Sequence, residues 1–412
     1  SCDAKADYTL FESIYGAELA ANNNVVNING LVNWTQSMNV RGSIVINPGG
    51  TLNITGPNTV IRFADSRKMG YTCNIVVMPD LVTPLNAGNL NIRNGATVTS
   101  LAECPESMWD GIRVLGTNNN DALSSVGELR IGWQSPAETA TISNALVAAS
   151  NCQVDPMNPT TATATDPGGA IIVDNGIFLN NRFGVVMRPF YFPGNNTAPD
   201  PNAPPPLEAA ANSRFFNSQF GTTTALNYAQ EAPQAHIWLR NVKRTRIGSC
   251  TFWNSWGPAV EPAERWGSGV VAQNTPVQIL PLCTGNVFNP GCAGTNGLSV
   301  CSFTGLLRGF DFTTNFARTC MSRFNLYDQC AGGVRLLNAH YADLQQNDFV
   351  VPAVSTVNTN FNSAYGFGVW GARKFKIENN HVQGYQQIST NPPTVGAVFD
   401  NTGDSYNEYY NN

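Results

Sequence analysis

Residues 344–349 read Leu-Gln-Gln-Asn-Asp-Phe, and residues 377–382 read Ile-Glu-Asn-Asn-His-Val. Both segments are apolar at each end and carry asparagine at the fourth position. Both also close 15 positions after an apolar residue of an earlier short strand, and this spacing occurs in three pairs: Ile237 and Phe252, Val334 and Phe349, Phe367 and Val382. A fourth pair, Phe310 and Phe324, is one residue closer. The pattern predicts a strand, a connector and a second strand that recur along the chain.

The distance between repeats decides the fold class. The closing residues Phe303, Phe324, Phe349 and Val382 are 21, 25 and 33 positions apart, and such periods are typical of solenoids. A strand pair of this length cannot bury its apolar face alone, but in stacked coils each strand pairs with its copy about 4.8 Å away. No helical pattern lies between the repeats, and the LxxLxL signature is absent. We therefore predict an all-β fold, a single-stranded right-handed parallel β-helix with a continuous apolar core.

The first half of the chain carries compatible strand patterns. Residues 43–54, Ser-Ile-Val-Ile-Asn-Pro-Gly-Gly-Thr-Leu-Asn-Ile, alternate apolar and polar positions around a Pro-Gly-Gly turn. Together with Arg93-Asn-Gly-Ala-Thr97 and Trp109-Asp-Gly-Ile112, the stretch 47–54 resembles the coils of large β-helical surface proteins of Bacteroidota. The resemblance covers roughly residues 34–190. It implies the fold and export by the type IX route, and it implies no activity.

A short N-terminal capping helix is predicted over residues 9–20, where apolar residues follow helical spacing. A solenoid needs its open end covered, because a bare coil exposes an unpaired strand edge. We therefore assign residues 1–24 to an N-terminal cap and residues 25–412 to the β-helix. Residues 406–412 carry no comparable signal, so we expect the β-helix to continue into further sequence or to be covered by another chain.

Three segments do not fit the coil pattern and are predicted to be long loop insertions: 153–168, 193–206 and 281–300. They are rich in Pro, Thr, Gly and Asn. Loops that project from a solenoid commonly form its binding face.

Composition narrows the class of protein. Charged residues make up 12% of the chain, against about 25% in ordinary soluble proteins. The net charge of -5 argues against nucleic acid as a partner, because phosphate binding needs a basic surface. Apolar runs fall well short of the roughly 20 residues of a membrane span. We predict a secreted, cell-surface protein without a cofactor, whose partners are other protein subunits or surface glycans.

The cysteines indicate the compartment. All ten are disulfide candidates: Cys2, Cys73, Cys104, Cys152, Cys250, Cys283, Cys292, Cys301, Cys320 and Cys330. An even number in a loop-rich chain fits an oxidising compartment, and buried free thiols are the alternative. Zinc sites need closely spaced ligands, but there is no CxxC pair and the three histidines are scattered. We therefore predict no metal site.

Aligning the closing residues places the positions before them in one outward-facing column. This column would bring together Arg323, Asp348 and His381. The three groups could serve acid–base catalysis, so they are the catalytic candidates. The alternative is a polar ladder on the surface.

A basic face is the second candidate site. Arg240, Lys243, Arg244 and Arg246 align with Trp370, Arg373, Lys374 and Lys376 on a later coil. Such a face could hold an acidic glycan. The alternative is a solvated face that keeps the protein soluble.

The motifs favour a non-enzymatic function. The motif set of polygalacturonase-type hydrolases is missing, and the chain contains no Asp-Asp pair. We predict an extracellular structural or adhesive module that binds a surface partner or assembles with other subunits. One alternative is a β-helical polysaccharide lyase or glycoside hydrolase acting on an acidic glycan, and another is a phage-like fibre or tailspike.

Overall fold

The computed structural model describes these residues: 1–82, 86–116, 126–132, 138–160, 168–188, 213–227, 232–242, 245–256, 266–283, 287–288, 299–314, 320–352, 364–384, 395–400, 402 and 407–412. The chain forms two compact units. Unit 1 comprises Ser1–Tyr191 and Ala225–Glu231, and unit 2 comprises Phe192–Thr224 and Ala232–Asn412.

Unit 1 is built from parallel strands that visit three sheets in turn, and each strand pairs with the equivalent strand of the next coil. The first sheet contains Val25–Ile28, Ser43–Ile46, Ile75–Val77, Ile112–Val114, Val147–Ser150 and Phe183–Met187. The second contains Leu31–Trp34, Thr51–Thr55, Asn89–Arg93, Glu128–Ile131 and Ala170–Asp174. The third contains Met38–Val40, Val60–Phe63, Thr97–Ser100, Ala140–Ser143 and Gly176–Leu179.

Alternation along each strand builds the core of unit 1. In the second sheet, Leu52 pairs with Leu90, which pairs with Leu129, and all three side chains are fully buried. The residues between the apolar positions point outward, because successive side chains of a strand face opposite sides of the sheet. Asn53 and Asn91 therefore stack on the outer surface.

The predicted N-terminal helix is present at Thr9–Ala21. It buries Phe11 and Leu19. The ring of Phe11 meets Trp34 edge-on, with 6.4 Å between the ring centroids, and the indole Nε1 of Trp34 donates to the Tyr15 hydroxyl at 3.1 Å. The helix thereby packs against the first coil. Two shorter helices, Asp3–Lys5 and Ser66–Met69, contact each other.

Unit 2 repeats the same arrangement of three parallel sheets. Its first sheet contains Ala235–Arg240, Ser268–Gln273, Arg308–Thr313, Gly332–Leu337, Tyr365–Trp370 and Val395–Asp400. Its second contains Arg214–Phe216, Thr245–Gly248, Val277–Leu280, Cys320–Arg323, Ala342–Gln345, Lys376–Glu378 and Glu408–Tyr410. Its third contains Gln219–Thr222, Thr251–Asn254, Ser302–Thr304, Leu326–Asp328, Asp348–Val351 and His381–Gly384. A short antiparallel pair, Leu282–Cys283 and Val287–Phe288, stands apart from these sheets.

The six-residue segments that revealed the repeat are corners rather than single strands. In 344–349, Leu344 lies in the second sheet, Gln346 takes a left-handed conformation with φ 53°, and Phe349 lies in the third sheet. Asn347, at the corner, donates from Nδ2 to Asn380 Oδ1 at 2.9 Å, and the backbone N–H of Asn347 donates to the same oxygen at 3.0 Å. The asparagines therefore tie successive corners together.

The corner asparagines show that one repeat was aligned wrongly with the others from the sequence. Phe324 was expected to be a core aromatic, but it occupies the left-handed corner position, with φ 58°. Tyr327 takes the core position instead, in register with Phe303 and Phe349. The reason is that this coil carries Ser322 where the next coil carries Leu344, so the apolar spacing used for alignment is broken there. The Ser322 hydroxyl is satisfied by the Tyr327 hydroxyl at 2.8 Å.

The cysteines follow both predicted patterns. Cys2 and Cys104 form a disulfide. Six other candidates are buried free thiols rather than disulfides: Cys73, Cys152, Cys250, Cys301, Cys320 and Cys330. They are small enough to fill inward or corner positions, as unpaired buried cysteines commonly do. The side chain of Cys283, and Cys292 as a whole, lie outside the described residues.

The predicted fold class is confirmed, because each unit is all-β with parallel strands in three sheets. Connections between parallel strands of one sheet are right-handed in nearly all proteins. Of the predicted insertions, residues 153–160 and 168 are described. Residues 193–206 and most of 281–300 lie outside the described part of the chain.

Candidate functional site

The predicted catalytic column is only partly assembled. Asp348 and His381 are paired neighbours in the third sheet of unit 2, with 3.6 Å between His381 Nδ1 and Asp348 Oδ1. Arg323 is not in that column, because Phe324 lies at a corner and Arg323 therefore precedes the corner instead of following it. It lies in the second sheet and forms an ion pair with Asp343. The position next to Asp348 is occupied by Leu326.

The Asp348–His381 pair is exposed to solvent. Their side chains are 66% and 71% exposed. Water screens such a pair, and exposed ion pairs contribute little. This exposure is what the alternative interpretation, a polar ladder on the surface, predicts.

The predicted basic face is interrupted. Arg240 and Trp370 do share a column of the first sheet, but Gln273, Thr313 and Leu337 separate them. Four coil spacings amount to about 19 Å, too far for one sugar residue to bridge.

The second-sheet part of the basic face is interrupted in the same way. Arg246 and Lys376 share a column with Gln278, Met321 and Asp343 between them. Lys376 Nζ lies 2.8 Å from Glu378 Oε2, and this hydrogen bond raises the pKa of Lys376. The positive charge at this end of the column is therefore partly neutralised.

The remaining members of the basic face are accounted for individually. Lys374 Nζ lies over the Tyr341 ring, 5.4 Å from its centroid. Arg373 forms an isolated parallel bridge with His340. Lys243 and Arg244 lie outside the described residues.

A polar groove lies on the outer surface of the second sheet of unit 1. It encloses about 330 Å³. Its lining comes from three successive coils and contains these residues: Thr51, Asn89, Asn91, Arg93, Glu128, Arg130 and Gly132. Glu128 and Arg130 form an ion pair within it. We call this surface the polar groove.

An amide ladder orients Asn91, one of the side chains that line the polar groove. Asn91 Nδ2 donates to Asn53 Oδ1 at 2.9 Å, and Asn53 Nδ2 donates to Asn33 Oδ1 at 2.8 Å. Each donated hydrogen bond uses one of the two N–H groups of an amide. The ladder therefore orients the Asn91 amide and leaves its second N–H group and its carbonyl oxygen for a ligand.

A second cavity lies on the first sheet of unit 1, beneath the loop that follows Val147–Ser150. It encloses about 290 Å³. Its lining contains these residues: Thr72, Asn74, Asp110, Arg113, Gln153, Val154, Asp155 and Pro156. We call it the loop pocket. The predicted insertion that begins at residue 153 supplies one wall of it.

The charged groups of the loop pocket are held inside the fold. Arg113 is 1% exposed and donates from Nη2 to the backbone carbonyl of Asp110 at 2.9 Å. Asp110 is 6% exposed, and its Oδ2 accepts from the Ser66 hydroxyl at 2.6 Å. Burial raises the pKa of Asp110 and lowers that of Arg113. The fold thus places two ionisable groups at fixed positions in one small cavity.

In the described residues, no group of three or more His, Cys, Asp or Glu side chains is placed to hold a metal ion. None of the helices in the described part of the chain is long and apolar enough to cross a membrane.

Comparison with known proteins gives a likeness in structure only. No protein-family model matches the chain, and no curated protein sequence matches it significantly. Among solved structures, the periplasmic alginate epimerase AlgG is 10% identical with a TM-score of 0.44, covering 95% of this chain and 84% of that one. PfbA, a surface adhesin of Streptococcus pneumoniae, is 10% identical with a TM-score of 0.34, covering 95% and 88%.

A third similar structure is DFA-IIIase from Arthrobacter chlorophenolicus A6. It is 7% identical with a TM-score of 0.35, covering 89% of this chain and 82% of that one. Because these proteins include enzymes and an adhesin, the likeness does not distinguish between functions.

Sequence reasoning missed both cavities. The alternating polar positions of 51–55 and 89–93 contained the signal for the polar groove, since outward residues of equivalent strands must stack. The loop pocket left a weaker signal: Arg113 stands between Ile112 and Val114 in an otherwise apolar strand. Its burial depends on the covering loop, which no local pattern predicts.

Proposed function

We propose that this protein is an exported, cell-surface β-helix module that binds a surface glycan through the polar groove. The proposal includes export by the type IX route, as the resemblance to β-helical surface proteins of Bacteroidota implies. It also treats residues 25–412 as one working module with residues 1–24 as its cap.

The observation that carries the proposal is the chemistry of the groove. Among the described residues, its lining consists of Thr, Asn, Arg, Glu and Gly, without the aromatic or aliphatic anchors that dominate protein interfaces. A glycan presents many hydroxyl groups, each both donor and acceptor, and amides and hydroxyls can match them. The chemistry therefore favours a glycan over a protein partner.

The rigidity of the groove supports the same proposal. Its side chains stand on strands of three paired coils, and the Asn91 amide is already oriented by the ladder that runs to Asn33. Binding then orders few side chains, which lowers its entropic cost. Solenoids commonly use such extended surfaces for binding.

The test is binding to an array of neutral and acidic glycans by the wild-type protein, Asn91→Leu and His381→Ala. Asn91→Leu removes an amide from the groove, so we expect at least a tenfold loss of affinity, whereas His381→Ala in unit 2 should bind like the wild type. Equal binding by all three proteins, or binding to no glycan, would contradict the proposal.

The same samples test the enzymatic and fibre alternatives. Release of shorter products from a bound polysaccharide, abolished by a groove variant, would replace the binding module with a lyase or hydrolase. A stable trimer in solution would favour the fibre.

A further inference from the structure

The loop pocket contains polar groups whose bonding capacity is not used by the protein. Asn74 is 3% exposed, and its Oδ1 has no hydrogen-bond partner within the described structure. An unsatisfied buried acceptor costs about 1–3 kcal/mol, so such an atom usually meets a water molecule or a ligand. In this case the atom belongs to a residue that lines a cavity.

The carboxylate of Asp110 points to the same need for donors. Its Oδ2 accepts from Ser66, and this is the hydrogen bond that the described residues supply to the carboxylate group. A carboxylate has about four acceptor positions. Asn74 and Asp110 precede equivalent strands of adjacent coils, Ile75–Val77 and Ile112–Val114, which pair in parallel. The two acceptors therefore lie on neighbouring coils, facing one cavity.

Arg113 brings hydrogen-bond donors to the same pocket. Its Nη1 lies 3.3 Å from the Ile112 carbonyl and 3.4 Å from the Val147 carbonyl, and among the described carboxylates none forms an ion pair with it within 4.0 Å. Five N–H groups are available on a guanidinium. The buried guanidinium is thus held in place by backbone and retains capacity for another acceptor.

The charges select the class of ligand. A cation would approach the buried Arg113, and an anion would approach Asp110 and the Asp155 carboxylate on the loop. A neutral hydroxyl can donate to Asn74 or Asp110 and accept from Arg113. We infer that the loop pocket binds one neutral sugar residue through its hydroxyl groups.

This inference rests on the proposed glycan-binding function for its ligand class, but it concerns a different surface from the polar groove. The exposed Gln153 and Asp155 stand at the mouth of the pocket, on the loop. A sugar at the end of a glycan chain could enter there while the rest of the chain remains in solvent. The volume of about 290 Å³ sits at the lower limit of small-molecule sites, which fits one residue and not several.

The experiment is titration of the full chain with glucose, galactose, mannose and N-acetylglucosamine, followed by NMR or calorimetry. Glucosamine and galacturonate serve as the cationic and anionic comparators. Asn74→Leu removes the buried acceptor, and Gln153→Ala changes an exposed position that should not affect folding. We expect each to weaken binding of the preferred neutral sugar, Asn74→Leu by tenfold or more and Gln153→Ala by at least threefold.

The controls separate this inference from the proposed function. Asn91→Leu in the polar groove should leave monosaccharide binding unchanged while reducing binding to the array. Failure of every neutral sugar to bind, tighter binding of a charged sugar, or wild-type affinity in Gln153→Ala and a folded Asn74→Leu would overturn the inference. If no glycan of the array binds but a monosaccharide binds with an affinity that Gln153→Ala lowers, the groove proposal is overturned and the loop pocket is supported.

Discussion

The exchange of Phe324 for Tyr327 as the core aromatic can be tested by truncating each residue. In the structure, Tyr327 is 1% exposed, while Phe324 is half-buried at a corner with φ 58°. The sequence repeat alone would make Phe324→Ala the damaging change. The observed register makes Tyr327→Ala the damaging one.

The expected magnitude follows from the surroundings of Tyr327. Its ring lies between Phe303 and Phe349, with centroid distances of 4.7 Å and 4.9 Å and interplanar angles of 7° and 10°. Truncating a buried aromatic residue to alanine costs about 3–5 kcal/mol, and each ring pair adds about 0.5–1.5 kcal/mol. We therefore expect Tyr327→Ala to lower the free energy of unfolding of unit 2 by at least about 4 kcal/mol.

Phe324→Ala should cost much less. The side chain is half-buried, and alanine meets the same left-handed conformation, so the change should stay within about 1 kcal/mol. The comparison of the two variants tests which of them loses more free energy of unfolding, and this order does not depend on the exact size of either loss.

The assay is urea unfolding followed by circular dichroism. Because coils of a solenoid can open separately, hydrogen exchange of peptides covering Leu326–Asp328 is measured alongside. Faster exchange there in Tyr327→Ala, with near-native exchange in Phe324→Ala, is the expected result. A larger loss of stability in Phe324→Ala than in Tyr327→Ala would refute the register.

Three further predictions concern single positions. Burial lowers the pKa of His236 from 6.5 to about 4, so the folded state resists protonation of this imidazole. The free energy of unfolding should therefore fall by roughly 3 kcal/mol as the pH drops from 6.5 to 4. His236→Phe should flatten this part of a pH–stability curve, and an unchanged curve would contradict the shift. Removing the disulfide with Cys2→Ala should cost on the order of 2–5 kcal/mol. Reductant should lower the melting temperature of the wild type but not that of the variant, and an equal drop in both would contradict a stabilising role of the disulfide. Gly111→Ala would place Cβ 1.7 Å from the Val147 carbonyl oxygen at φ +92°, whereas in Gly70→Ala, at φ +79°, the Cβ meets nothing within 4 Å. Gly111→Ala should therefore be less stable than Gly70→Ala by about 3 kcal/mol or more in thermal melts. Equal melting temperatures of the two variants would argue against this packing.

The polar groove and the loop pocket differ in how far the sequence could have revealed them. The groove is a consequence of alternation: once Leu52 and Leu90 face inward, Asn53 and Asn91 must face outward and stack. The loop pocket combines Asn74 and Asp110, from adjacent coils, with an Arg113 that is buried because residues 153–156 fold over it. Loop placement has no periodic signal, so this site required coordinates.

The sequence by itself determined the fold class, because inward apolar residues that recur every coil leave no other way to bury them than stacking. It also determined the N-terminal helix, through the 3.6-residue periodicity of its apolar positions. Only the tertiary structure decided the coil register where Ser322 replaces an apolar residue, and with it the separation of Arg323 from Asp348 and His381. Ser322 can lie in the core because its hydroxyl is hydrogen-bonded to the Tyr327 hydroxyl. That pairing forms only once the coils have stacked.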